Sequence, residues 1–584
     1  MSTDLEADWM AFGTVEEIQA DSPVQRSVGG RSMVAFWHDD APYVLDARCP
    51  HMGFPLSAGT VDDGILTCHW HHARFELSCG DTFDPFADDV RTYPTDVRNG
   101  EVYVDPNPDR GVPAETHWCE RLEHGLQENL GLVIAKSVIG LDDADVPPTV
   151  PIEIATEFGT HYRSDGWGRG LTTLGVMANL LSDLRPEDRR RALYAGISEV
   201  ASNTAGESPF FVQDPLSTRD VSTTKLKRWF RDNIEVRDAD GAERVLRTAI
   251  QEGLDEADVA EMLYGAATDH LFLDTGHRLD FINKAFETLD HVGWERADDV
   301  LPSLVPGLAA ASRAEESSSW RQPIDVAQLC FDAAESIPAL VEEGAGSTWN
   351  EPDDFIETLL GDDPHAVVAA LTDAIANGAS AATLASVVTT AAARRVAQFG
   401  TSNEFRDWNT VHHTYTYANA VHGGTLRTDA TDVYRGVIDA AMKVYLDRFL
   451  NMPPAPIPEP DTSTRDPEDV LADLLETFEV ERDEEVDRAG RFTGEFLDAG
   501  GDAARLKRAL GEALLREDVG FHTRQNVEAA FTQHDRQDDP DRARLHLVAT
   551  ARYLAAHTPT RRAGEQTFRI AERLHRGEKI HEDA

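Results

Sequence analysis

Two short motifs, Cys49-Pro-His51-Met-Gly53 and Cys68-His-Trp-His71, constrain this chain more than any other feature of it. A C-x-H and a C-x-x-H pair present two thiols and two imidazoles from separate loops, and they act together only if the fold brings those loops face to face. The intervening residues, from Val61 through Asp-Asp-Gly64 to Thr67, supply a hairpin for that purpose. Two chemistries use such a donor set. A Cys2His2 group can hold tetrahedral zinc. Alternatively, two thiolates on one iron and two imidazoles on another hold a mixed-ligand iron-sulfur cluster, in which neutral nitrogen makes the second iron the easier one to reduce.

The surroundings decide between them. Segments such as SMVAFWHD, APYVLDAR, GILTCHW and EVYVD are rich in Val, Tyr, Phe and Trp and are punctuated by Gly, Asp and Pro, which predicts a small antiparallel domain over about 9–105. From Trp9 to about Pro106 the chain resembles the Rieske domain of ferredoxins and ring-hydroxylating oxygenases, in its ligand pattern and in Phe75, Gly80 and the EVYVD strand. The resemblance implies one [2Fe-2S] cluster per chain, with Cys49, His51, Cys68 and His71 as its metal ligands, and an electron donor protein or reductase as partner. In respiratory Rieske proteins each ligand loop carries a further cysteine, and the two pair as a disulfide; Phe54 and Trp70 stand at those places here. Without that disulfide and amid acidic residues, the potential is expected near the low end of about −150 to +300 mV. In CHWHH, His69 and His72 flank the expected ligand, and the C-x-x-H spacing selects His71. Gly53 is expected to let backbone amides approach the cluster sulfurs.

The texture then changes. DPNPDRGVP packs prolines among charges, and we read 107–115 as a linker that closes a Rieske domain over 1–106. From 116 to 450, stretches such as DRRRALYAGISEVA, RLDFINKAFETLDHV and LASVVTTAAARRVAQF place apolar residues at helical spacing. A proline-rich break at 451–469 precedes more helical sequence over 470–584. The expected fold class is multidomain, a small antiparallel all-β domain at the N-terminus followed by a large all-α region. HYRSDGWGRG, at 161–170, a polar, glycine-rich piece with aromatics, reads as a structural turn, with a substrate loop as the alternative, and Cys79, Cys119 and Cys330 read as core fillers.

Charge narrows the partners. The chain carries 104 acidic and 54 basic residues, only 7 of them lysine, for a formal charge of −50. That balance resembles proteins from salt-filled, halophilic cytoplasms, because molar salt shortens the Debye length to roughly 3 Å and screens the self-repulsion. Nucleic acid and anionic membranes are not expected as partners. The start MSTDLEADWM has no basic region followed by an apolar run, and no segment holds the ~18 apolar residues that spanning needs, so a cytoplasmic location is expected.

A Rieske cluster moves single electrons, which raises the question of their destination. Ring-hydroxylating oxygenases use a D-x-x-H-x-x-x-x-H iron motif; here Asp274-Thr-Gly-His277 begins it, but Ile282 stands where the second histidine belongs, and the chain is not read as a standard oxygenase alpha subunit. Two helices nevertheless place polar groups on apolar faces, as helical proteins do to build iron sites. One continues a helical period from Val259 through His270 to Asp274 and His277; the other aligns His412, Tyr415, Asn419 and His422. These helices bear a loose similarity to questin oxidase-like proteins. A second metal among His270, Asp274, His277, His412 and His422 is one expectation, and Asp274 or Thr275 capping a helix that begins near His277 is the other. The functional expectation is an oxidoreductase passing one electron at a time from the N-terminal cluster to a site in the helical region, with a small-molecule substrate. The competing reading is a redox-sensing or interaction scaffold whose helices bind protein partners.

Overall fold

The computed structural model describes residues 9–108, 112–217, 221–459, 465–576 and 578. They fold as two compact units, Met1–Ile154 with Gln566–Ala584, and Ala155–Glu565. Within the first unit, an antiparallel β domain contains ten strands in three sheets, ordered β1-β10-β9, β2-β3-β4-β8 and β5-β6-β7. The strands are β1 (Met10–Thr14), β2 (Val24–Val28), β3 (Arg31–His38), β4 (Ala41–Asp46), β5 (Thr60–Asp62), β6 (Ile65–Thr67), β7 (Arg74–Glu76), β8 (Thr92–Tyr93), β9 (Thr95–Arg98) and β10 (Glu101–Val104).

Alternation along β3 explains how the middle sheet serves two cores. Val34 and Phe36 point to one side, where they pack with Leu45, Leu56, Leu66, Phe75 and both cysteines of the motifs. Met33 and Ala35 point to the other, against Phe12, Val44, Val102 and Val104. The side chains under the ligand loops are therefore anchored by hydrophobic burial worth ~1.5–3 kcal/mol for each large residue.

A short helix, α1 (Val15–Asp21), lies within the β domain; α2 (Ala114–Gln127) and α3 (Gly131–Asp143) follow it in the same unit. The compact units thus do not follow the proline-rich segments. Residues 116–154 belong with the β domain, and 451–469 lies inside the second unit rather than between two units.

Among its described residues the second unit contains helices and loops and no strand. Four of its helices matter below: α4 (His277–Val292), α5 (Trp408–Thr425), α6 (Phe521–Arg536) and α7 (Pro540–Ala556). Helix α5 is buried around nearly its whole circumference, as a central core helix is. Its threonines keep their hydroxyls satisfied by donating back along the helix, Thr414 to the Thr410 carbonyl and Thr416 to that of His412. The 161–170 segment contains a turn whose Trp167 side chain is buried, with its indole N–H donating to Thr172. Of the supposed filler cysteines only Cys330 is buried; Cys79 is exposed and Cys119 half-exposed. Cys79 sits in the turn after β7, where its amide donates to Glu76, so that position serves turn geometry rather than packing.

Candidate metal centres

The first centre is built from two turns. Strands β5 and β6 pair as Thr60↔Thr67, Val61↔Leu66 and Asp62↔Ile65, and Asp63 and Gly64 both take positive φ, 48° and 76°. That is the Asp-Gly turn whose twist suits a tight hairpin. The second ligand loop connects β6 to β7 and is closed by the Cys68 amide donating to the Ala73 carbonyl at 2.8 Å. The first loop is closed twice, by the Cys49 amide on the Phe54 carbonyl and the Gly53 amide on the Cys49 carbonyl, both at 2.8 Å. Gly53 sits at φ +73°, so its part is to turn the loop. The amides that reach the cysteine sulfurs belong to other residues, His51 and Met52 at Cys49, and Trp70 and His71 at Cys68.

The two loops meet. Cys49 and Cys68 are buried against one another, and their thiols interact directly. That contact, followed by burial, pushes the Cys49 thiol up, while the same contact and the Trp70 and His71 amides bring Cys68 down to about 6. The His51 and His71 rings lie 4.7 Å apart at 76°. His51 is half-buried and packs edge-on against Phe86, at 4.9 Å. Burial, then the fields of His71 and Lys136, lowers the His51 imidazole to about 4, so it is neutral at physiological pH. His51 Nδ1 is buried with no hydrogen-bond partner. A buried, neutral imidazole nitrogen with a free lone pair is what a metal ligand requires, and two thiols beside two imidazoles complete the donor set of a mixed-ligand cluster.

Residues 8–94 match the family model of the Rieske [2Fe-2S] domain. This segment is a Rieske domain. Its cofactor is a [2Fe-2S] cluster, and the residues in the two loops fit that group. The chain is similar to the anthranilate 1,2-dioxygenase ferredoxin subunit of Burkholderia cepacia, at 29% identity over 99 residues, 17% of this chain and 92% of that protein. It is also similar to the oxygenase component of 3-ketosteroid-9-alpha-monooxygenase from Rhodococcus rhodochrous, at 32% identity over 114 residues, 18% of this chain but only 29% of that protein. Among solved structures, the ferredoxin of carbazole 1,9a-dioxygenase from Nocardioides aromaticivorans IC177 aligns at 22% identity, covering 17% of this chain and 98% of that one, with a TM-score of 0.16.

In this Rieske domain Phe54 and Trp70 face each other across the two ligand loops, with ring centroids 5.9 Å apart. An aromatic contact thus stands where respiratory Rieske proteins have a covalent link. The flanking histidines are on the surface: His69 Nε2 lies 3.1 Å from the Thr60 hydroxyl, and His72 is exposed at the end of the loop with φ 61°.

The second centre lies in the helical unit. His277, His413 and His522 each offer one ring nitrogen to a group whose atoms all lie within 4.8 Å of one another. They come from the N-terminal ends of α4, α5 and α6. The Nε2 atoms of His413 and His522 are 3.1 Å apart, close to the ~3 Å that separates two cis ligands each ~2.1 Å from one ion. Burial leads the lowering of all three imidazoles: His277 falls to about 4, His413 to about 2 and His522 to about 3. Three neutral imidazoles converging on one point form a nitrogen donor set that suits iron, copper, nickel or zinc.

Three of the residues expected to share a helix face do not. The helix beginning at Glu256 ends at Thr268, and Phe272, Asp274, Thr275 and Gly276 all take positive φ before α4 starts. The helical period therefore cannot run from His270 to His277. His270 instead sits between Glu315 and Glu235, at 2.8 and 2.7 Å, and Asp274 accepts from Ser312 and Arg278. On α5, the His412–Tyr415–Asn419–His422 face exists, but protein groups satisfy most of it: Tyr415 meets His546, and Asn419 and His422 both meet Gln533. His412 lies beside the trio, its ring 5.0 Å from that of His522, with Asn526 donating to Nδ1 and Nε2 buried without a partner. The ligand-type neighbour on α5 is His413, one residue on. His522 was not foreseen; its only sequence signal is that His522, Asn526, Ala529 and Gln533 share a face of α6 at helical spacing.

Proposed function

We propose that this chain is a two-centre oxidoreductase. In this reading Cys49 and Cys68 hold one iron of the cluster, and His51 and His71 the other. His277, His413 and His522 would hold a third metal, which would supply redox chemistry in the helical unit. A [2Fe-2S] cluster supplies one-electron chemistry, so each transfer oxidises one centre and reduces the other by a single electron. The observation that carries the reading is the convergence of three half-buried, neutral imidazoles, each with one ring nitrogen inside a group whose atoms lie within 4.8 Å of one another, where a bound metal would replace the 3.1 Å hydrogen bond between His413 and His522.

Each residue has a defined task. Amides of His51, Met52, Trp70 and His71 donate to the cysteine sulfurs and stabilise them as thiolates. The exposed His71 gives electrons a path in from a protein donor. The similarity to a dioxygenase ferredoxin subunit and a monooxygenase oxygenase component supports an electron-transfer role with a reductase upstream. Three protein ligands leave positions open, as sites that do chemistry on a small molecule do.

Metal analysis tests the reading. Anaerobically purified protein is expected to hold two irons and sulfides in the cluster and one further redox metal. His413→Ala and His522→Ala remove that metal while leaving the cluster absorption intact. A preparation with a full cluster and no third metal after iron or copper loading would overturn the second centre.

A further inference from the structure

The Rieske family match ends at residue 94, yet of two buried side chains from the helices beyond it one reaches a ligand loop and both reach the segment 85–88 that backs His51. Lys136, on α3, is 7% exposed at its side chain. Its ammonium donates to the Pro50 carbonyl, in the peptide between Cys49 and His51, and to Asp88 Oδ2 at 3.0 Å. Arg121, on α2, donates to the other Asp88 oxygen at 2.8 Å and to the carbonyls of Ala87 and Pro85 at 3.0 and 3.2 Å. Segment 85–88 is thus pinned at four acceptor oxygens, and Phe86 within it forms the wall against which His51 packs.

We infer that Lys136 is a positioning and charge-setting residue of the Rieske centre, supplied from outside the Rieske domain. Lys136, Arg121 and Asp88 sum to one net positive charge, buried beside the Cys49–His51 loop. Charges interact strongly where water is excluded, so a net cation there favours the added electron and raises the reduction potential. Pro50 has no N–H, and its carbonyl is the loop group that the ammonium fixes. The overall acidity of the chain pulls the potential down; Lys136 opposes it locally.

The inference rests on Cys49, His51, Cys68 and His71 holding the cluster, which iron content and the paramagnetic resonance spectrum of dithionite-reduced wild type check independently. The test is the midpoint potential of the full-length holoprotein by mediated spectroelectrochemistry. Replacing Lys136 by Met takes the local sum from plus one to zero, Asp88→Asn takes it to plus two, and the double variant K136M/D88N returns it to plus one. Expected are an at least tenfold weaker reduction equilibrium in K136M, which is about 59 mV for one electron, a shift of opposite sign in D88N, and recovery toward wild type in the double variant. Lys136→Arg keeps the charge and the potential. A purely structural role would shift K136M and D88N in the same direction and leave the double variant worse than either, and that pattern, or a K136M potential equal to wild type, overturns the proposal. If K136M alone does not retain its cluster, the step from D88N to the double variant reads the same charge removal.

Discussion

The two centres are built in opposite ways. The residues proposed to hold the Rieske cluster come in pairs two and three residues apart, on turns that a single hairpin places side by side, so local geometry does most of the assembly. The histidine trio comes from three helices, and two of its members lie 109 positions apart in sequence. A site of the first kind is written in a motif; one of the second kind exists only when a whole bundle has packed. The difference extends to protons. Amide dipoles and thiol contact prepare the cysteines, whereas burial is the leading cause that keeps the trio neutral.

The sharpest way to break this comparison is to destroy the centres separately. Cys49→Ser or His71→Ala is expected to abolish the cluster absorption entirely while leaving the metal bound by the trio, measured as iron and sulfide per chain. His522→Ala is expected to do the reverse. Loss of both metals from either variant would show that the two centres do not form independently.

How much of this was legible follows from where the information resides. The Cys49/His51 and Cys68/His71 motifs, the hairpin between them and the antiparallel strands were readable because they depend on neighbours a few residues away. His277 was singled out, but with the wrong companions. The helical period was carried across Asp274-Thr-Gly276, a turn signal, and the four positive φ angles at 272 and 274–276 show that a turn signal outranks periodicity. Choosing His413 over His412 was beyond pattern reasoning, since both faces of a helix buried all round look alike in sequence and only the packing of α4 and α6 decides which one meets the trio. The tie from Lys136 to Pro50 was invisible for a different cause: nothing in a lysine on an apolar helix names its partner 86 residues earlier.

A smaller effect separates the electrostatics of the two regions. Asp280, one turn along α4 from His277, is fully buried and raised to about 7, by burial first, with Gln525 donating to it. A free aspartate titrates near 4, so between those values the folded protein binds more protons than the unfolded chain, and stability falls as pH rises through that window. Asp280→Asn keeps an acceptor for Gln525 and removes the charge. Relative to this variant, wild type is expected to lose on the order of 3 kcal/mol between pH 4 and 8, read as the difference in urea midpoints across pH. The β domain offers no comparable buried acid, because Asp88 is burdened by burial but held below its usual range by Lys136 and Arg121. A parallel pH profile for the two proteins would mean that Asp280 titrates alike in the folded and unfolded chains, and that burial does not raise it.

The smallest expected effect concerns the contact between the ligand loops. Phe54 and Trp70 lie 5.9 Å apart in a tilted arrangement, and an aromatic pair of this kind contributes about 0.5–1.5 kcal/mol beyond its burial. A disulfide in the same place would contribute more and would resist opening. Phe54→Ala is therefore expected to leave the cluster spectrum unchanged and to speed its loss to a chelator at moderate urea by roughly three- to tenfold, the rate factor that ~1 kcal/mol allows. Replacing Trp70 by Ala in the same background is expected to add only what the packing of Trp70 on His71, 4.3 Å between centroids, contributes. Full additivity of the two substitutions would instead assign each ring a separate role, and the aromatic contact would cease to be the counterpart of the missing covalent link.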